Sequence, residues 1–337
     1  MNFYPWQTRA LDTLLAQMGT GKLPHAILLT GAEGIGKLNF ALTFAQRFFC
    51  QQASGVSPCG QCDACHKFLA ETHPDVKRIA PAEGKQVIAV DQIRALIEYV
   101  SLTPHSASKK VVIIEQAELL NVNAANSLLK TLEEPPESSM LILVTHRPDR
   151  LLPTIRSRCQ AMLFPTPDAA QASTWLSDQL KTDENISTLL ALSGGAPLKA
   201  LGYAEDNMLE KRNNFFSELE QISSGKKNPI DVAKSWHKND FELTVNCLTS
   251  WVTDMIRLKA LERQTSISAG VISKEFLSNS DLQTALTKIT KTAGLKAMLD
   301  YYQSLTKVTQ LKKSNINPQM ILENVLIDWQ SLSRRDK

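Results

Sequence analysis

Hydrophobic positions along the chain follow two regimes. Up to about residue 165, short apolar runs alternate with segments whose apolar residues recur at helical spacing. Gln7–Met18 puts Leu11, Leu14, Leu15 and Met18 on one face and predicts an amphipathic helix. Ala26–Thr30 is a strand-sized apolar run that ends at Gly31, and a helix is predicted from Leu38 to Phe49. The pattern then predicts strands over Asp75–Ile79, Lys109–Glu115 and Met140–Thr145. It predicts helices over Asp91–Leu102, Asn123–Glu134 and Leu151–Arg158. Pro135-Pro136 stops the second of these helices, and Pro153 suits the first turn of the third. Strands alternating with helices through short connections imply an α/β domain built on a mainly parallel sheet.

The second regime begins at Pro165-Thr166-Pro167, beyond which no strand is predicted. Asp168–Leu180, Asn185–Leu192 and Pro197–Tyr203 read as a small helical domain. Longer helices are expected from about Asp206 onward, over Phe241–Arg263, Asp281–Lys312 and Pro318–Ser331. Three domains are therefore expected: 1–165, 166–205 and 206–337.

Composition narrows the class. The 337 residues suffice for two to three domains, and 43% hydrophobic with 21% charged residues is ordinary for a folded protein. Lys+Arg 37 against Asp+Glu 34 gives +3, too balanced for a dedicated nucleic-acid coat or a polybasic membrane binder. The first ten residues lack an apolar signal core, and no apolar run reaches membrane-helix length. A cytoplasmic protein without membrane contact is expected. Four of the six cysteines crowd into the 16 residues from Cys50 to Cys65, which in a reducing compartment reads as a metal site.

Four motifs carry candidate chemistry. Gly31-x4-Gly36-Lys37, between a strand and a helix, fits a P-loop up to its last position. Backbone N–H groups there wrap a phosphate, and the lysine reaches the terminal phosphates. The metal-ligating Ser or Thr that should follow is Leu38. The loop, with Gly31, Gly34, Gly36 and Lys37 as its contacts, is either nucleotide-binding or a glycine-containing turn without function. The apolar run Val111–Ile114 ends in Glu115-Gln116, where an active ATPase of this type wants an Asp-Glu pair. Gln116 can orient a water but cannot take its proton. Two losses together predict no intrinsic ATPase, and ATP binding at this chain's own site is doubtful. The spacing Cys50-x8-Cys59-x2-Cys62-x2-Cys65 suits a closed tetrahedral shell and predicts structural Zn²⁺. Ser157-Arg158-Cys159 reads by itself as a surface arginine beside a buried cysteine.

Together these residues resemble the AAA+ clamp-loader subunits of bacterial DNA polymerase III. The resemblance rests on Tyr4-Pro5-Trp6, Leu23-Pro24-His25-Ala26, the four-cysteine insert after the loop helix, and Thr72-His73-Pro74-Asp75. The run from Asn126 to Pro136 and Ser157-Arg158-Cys159 add to it. It is strong over about 1–165 and weak beyond. It implies a RecA-like AAA+ α/β module with a zinc insert, a small helical lid domain and an all-α collar domain. It also implies a five-subunit ring with motor subunits of gamma/tau type and a delta subunit, which meets the sliding clamp and primed DNA as an assembly. The family's motor subunits carry a lid arginine after a Gly-Ser pair; here that position is Leu198, in Gly195-Ala196-Pro197-Leu198-Lys199. With Leu38 and Gln116, this points to the family's non-motor member, whose Ser-Arg-Cys arginine, carried onto Arg158, acts in trans on a neighbour's ATP. Two other readings follow from the residues: an ATP-hydrolysing motor, favoured by Gly31–Lys37, and a zinc-ribbon DNA-binding protein, opposed by the near-neutral charge.

Overall fold

The computed structural model describes residues 2–53, 55–105, 109–236, 241–264, 277–311 and 317–333. The chain divides into two compact units. One is Met1–Ala172 with Ala196–Lys199; the other is Ser173–Gly195 with Ala200–Lys337.

The first unit begins with helix α1 (Thr8–Gly19) and strand β1 (Ala26–Thr30), followed by α2 (Lys37–Phe49) and the short α3 (Asp63–Leu69). Then come β2 (Val76–Ile79), α4 (Val90–Ser101), β3 (Lys110–Ile114), α5 (Val122–Glu133), β4 (Ser139–Val144), α6 (Pro153–Arg156) and β5 (Gln160–Leu163). The strands form one parallel sheet in the order β2-β3-β4-β1-β5. β3 and β4 are buried along their whole length, which explains their unbroken apolar runs. Alternation sorts them: Ile27, Leu29, Val111, Ile113, Met140 and Ile142 pack with α1, α2 and α3. Ala26, Leu28, Val112, Ile114, Leu141 and Leu143 pack with α4 and α5 on the other face. Because β1 lies between β4 and β5, the strand order reverses beside it, and the crevice at the carboxyl ends of β1 and β4 is where such sheets bind ligands.

β5 was not anticipated. Gln160, Ala161 and Leu163 are exposed on this edge strand, so it carries neither an apolar run nor an alternation. The predicted helix at 151–158 contracts to α6, after a 3₁₀ turn at Pro148–Arg150. α3 also lacked a sequence expectation.

Beyond β5 the described residues contain helices and no strand. They are α7 (Ala169–Leu180), α8 (Ile186–Leu192), α9 (Pro197–Glu205), α10 (Met208–Ser223), α11 (Pro229–Trp236) and α12 (Phe241–Gln264). α13 (Gln283–Thr292), α14 (Leu295–Leu311) and α15 (Pro318–Ser333) complete the chain. α7 and α9 each cross between the two units. The single helix expected over 281–312 is two, because Ala293 is extended (φ −86°, ψ 138°) and Gly294 follows; Lys312 lies outside the described residues. In the second unit α12 packs on α14 and α11 on α15, around the fully buried Trp236, Trp251 and Trp329. The fold is thus a parallel α/β domain with a cysteine insert and an all-α C-terminal part. No helix among the described residues is long and apolar enough to cross a membrane.

Candidate functional site

The glycine loop leaves the carboxyl end of β1 and enters α2 through Gly36, whose φ of 84° is left-handed backbone that favours glycine. The loop is held from three sides. Trp6 Nε1 donates to the carbonyl of Ile35 at 2.9 Å and Gln7 Nε2 to that of Gly36 at 2.9 Å. The Leu198 amide donates to the Gly34 carbonyl at 3.0 Å. A side chain at Gly34 would collide with Lys199, one at Gly36 with the Tyr4 ring, and one at Gly31 with the Phe164 carbonyl. Lys37 turns back on its own loop: its ammonium donates to Gly31 at 2.8 Å and Ala32 at 2.5 Å. Burial pushes its pKa down to about 8, against the pull of Glu118 and Glu33.

An open cleft of about 380 Å³ lies over the loop, lined among others by Lys37, Leu38, Glu115, Gln116, Thr145 and His146. Leu38 brings only carbon to the position where a hydroxyl would ligate Mg²⁺. At the end of β3, Glu115 Oε1 is engaged by Arg78 Nε at 2.6 Å, and Arg78 Nη1 reaches Glu71 at 2.8 Å. The hydrogen bond Arg78 donates to Glu115, outweighing burial, raises the pKa of Arg78 further. The carboxylate left at the end of β3 is therefore committed to a cation, and Gln116 beside it cannot accept a proton. Glu118, which sequence reasoning left without a task, is buried and pairs with His146 Nδ1 at 2.7 Å. The cleft keeps the glycine loop and Lys37, with Leu38 where a hydroxyl is expected and Glu115 paired to Arg78.

The four cysteines meet as the spacing required. Cys50 ends α2, Cys62 precedes α3 and Cys65 sits in its first turn. Their sulfurs all lie within 4.8 Å of one another, with Cys59–Cys65 and Cys50–Cys62 at 4.0 Å. A tetrahedral ion with Zn–S bonds of about 2.3 Å needs sulfurs roughly 3.8 Å apart. Backbone amides point at the sulfurs: Cys59 N to Cys50 Sγ at 3.2 Å, and Cys62 N and Gln61 N to Cys59 Sγ at 3.3 and 3.4 Å. The amides of Gln61 and Cys62 draw the Cys59 pKa down, as thiolate ligation requires. The cluster can hold a metal ion, and with four protein ligands it leaves no open position.

Arg158 follows α6 and leads into β5. Its side chain is about one-third exposed. Nη2 contacts Glu133 Oε1 at 2.5 Å, and Nη1 donates to the Thr154 carbonyl at 3.0 Å. The neighbouring Cys159 is buried, and burial pushes its thiol up to about 11, so it is neutral and no nucleophile. The structure brings Gly34, Gly36 and Lys37 to one cleft, leaves Gly31 out of its lining with its carbonyl bonded by Lys37, gathers the cysteines in one cluster, and sets Arg158 apart from both motifs along the chain. Sequence reasoning missed the grip of Trp6 and Gln7 on the loop, although Tyr4-Pro5-Trp6 was conspicuous. It also missed the partners of Glu115 and Arg158, which no local spacing reveals.

Comparisons with known proteins agree with this picture. The family described as "DNA polymerase III, delta subunit" matches residues 6–168, and "DNA polymerase III, delta subunit, C terminal" matches residues 206–331. The chain is 35% identical to DNA polymerase III subunit delta′ of Pseudomonas aeruginosa over 98% of both chains. It is 30% identical to the Yersinia pestis subunit delta′, over 98% of this chain and 96% of the relative. It is 35% identical to the Escherichia coli (strain K12) subunit delta′, over 65% of this chain and 66% of the relative. With this identity over nearly its full length, the chain belongs to the DNA polymerase III subunit delta′ family.

Proposed function

We propose that this chain is the non-motor member of a five-subunit clamp loader, with motor subunits of gamma/tau type and a delta subunit as its neighbours. It helps place the sliding clamp on primed DNA as part of that assembly, and it works in the cytoplasm. Residues 1–165 act as the AAA+ module, 166–205 as the lid and 206–337 as the collar that joins the ring. The cysteine cluster holds structural zinc, which fixes the insert and does no chemistry.

One observation carries the reading: Leu38 occupies the metal-ligand position in a cleft whose Glu115 is tied to Arg78. A subunit unable to activate water at its own loop contributes through what it offers others, and Arg158 is accessible for that. An arginine supplied across an interface stabilises charge on the transferring phosphoryl group and is worth about 10³–10⁵ in rate in other NTPases. Gly31 to Lys37 remain compatible with a motor, but a motor would need the two groups that Leu38 and Gln116 replace.

The test is reconstitution of the loader with Arg158→Ala. Single-turnover hydrolysis at the adjoining ATP site is expected to fall by about 10³ or more, while the purified chain alone turns over no ATP. Unchanged hydrolysis in the reconstituted loader rejects the trans role. Turnover by the isolated chain, abolished by Lys37→Ala, would restore the motor reading.

A further inference from the structure

Glu133 is in an unfavourable place for an acid. It is the last residue of α5, where the helix dipole and unpaired carbonyls favour cations, and Glu134 follows it as the cap. The last turn also carries Lys130, but the carboxylate's ion-pair partner comes from 25 positions further along the chain. Arg158 Nη2 meets Glu133 Oε1 at 2.5 Å, in a pair where Glu133 is about half exposed and Arg158 about one-third exposed. The other end of the guanidinium is pinned by the Thr154 carbonyl at 3.0 Å and by Ser157 Oγ at 3.4 Å. Ser157 Oγ is itself fixed, donating to the same Thr154 carbonyl at 3.1 Å. The Nε–H has no partner among the described residues. A partly exposed arginine would ordinarily sample many rotamers, with a large entropy loss on being fixed. Here the α5 carboxylate holds Nη2 and the α6 carbonyl holds Nη1.

We propose that Glu133 is a positioning residue for Arg158: it sets the guanidinium in advance for the phosphates of a neighbouring subunit, so that the entropy of ordering it is not lost again at the transition state. The proposal rests on the trans-arginine reading above. Glu133 touches no substrate. The carboxylate fixes Nη2 and the Thr154 carbonyl fixes Nη1. A neutral oxygen at residue 133 keeps a hydrogen-bond acceptor and loses the ion pair. A methyl group there loses both.

The experiment uses the full chain reconstituted into the loader, with Glu133→Gln, Glu133→Ala, Arg158→Ala and the double variant Glu133→Ala/Arg158→Ala. DNA-dependent hydrolysis is followed over a range of ATP concentrations, and assembly is monitored in parallel. Glu133→Ala is expected to lower kcat about two- to fivefold, the range typical of a partly exposed ion pair, with little change in KM. Glu133→Gln should fall between Glu133→Ala and wild type. In the Arg158→Ala background, Glu133→Ala should have no further effect, because the group it positions is gone. An equal loss in both backgrounds would mean that Glu133 serves the fold, and the proposal fails. A rise in kcat with Glu133→Ala would mean that Glu133 restrains Arg158, and again it fails. If Arg158→Ala itself changes nothing, the trans-arginine reading fails instead, which the first three variants separate from failure of the positioning role.

Discussion

Replacing Cys62 with serine tests whether the insert depends on a metal ion. Between the end of α2 at Phe49 and the start of α3 at Asp63, the chain is held mainly by turns. The insert from Cys50 through α3 contributes little to the core: Cys62, Ala64, Cys65 and Phe68 are buried, and only Phe68 is large. Burying one phenylalanine is worth about 2–3 kcal/mol. Ordering the roughly fifteen residues from Cys50 to Cys65 costs on the order of 15 kcal/mol at about 1 kcal/mol each. A tetrathiolate ion contributes about 10–16 kcal/mol of apparent folding free energy, which closes the gap. Serine at position 62 removes one of four thiolates and an amide-supported turn. Purified wild-type chain should contain about one zinc ion per molecule, and Cys62→Ser should lose most of it. Hydrogen exchange reads the consequence residue by residue. The amides of Cys59, Gln61 and Cys62, which point at sulfur, should lose protection by two or more orders of magnitude. Amides of β1, β3 and β4 should keep theirs, since those strands are buried in the sheet. If a metal-free wild-type protein protects the 59–62 amides as well as the metal-loaded one, the reasoning is refuted.

Lys37 makes a pH prediction. Its folded pKa of about 8 lies below the ordinary 10.5, so the unfolded chain binds this proton more tightly. The penalty is full below about pH 8 and fades as the pH rises toward 10.5. The stability difference between wild type and Lys37→Met, from urea midpoints, should therefore move in favour of wild type between pH 7 and pH 10, by at most about 3 kcal/mol; a flat difference, or a shift of the opposite sign, contradicts the burial argument. Arg212 in α10 is fully buried, donates to both carboxylate oxygens of Asp281 at 2.7 and 2.9 Å, and also bonds Asn279. Arg212→Met should cost about 3 kcal/mol, since it strands the buried Asn279 oxygen and removes one partner of a charge pair; calorimetry showing under about 1 kcal/mol would mean that the network contributes little.

The elements most legible in the sequence are those whose pattern is set by their own burial. Val111–Ile114 and Met140–Val144 are covered on both faces and read as unbroken apolar runs. β5 hid because an edge strand with Gln160, Ala161 and Leu163 exposed carries no such record. The cysteine quartet and Gly31-x4-Gly36-Lys37 were legible because their chemistry constrains neighbours in the chain. Pairs set by packing were not. Arg78 and Glu115 show why. The β2–β3 register places Arg78 opposite Ile113, so Glu115, two residues on, projects from the same face as a diagonal neighbour within reach of a long side chain. A one-residue slip would put it on the other face. Residue identities at 38 and 116 announce a site without its metal ligand and its base. Register adds that the carboxylate left at the end of β3 is already neutralised by Arg78. A hydroxyl restored at position 38 would still face a Glu115 held by Arg78, so the departures from the pattern an active ATPase wants lie at 38, 115 and 116, and the pairing at 115 is the one the sequence does not show.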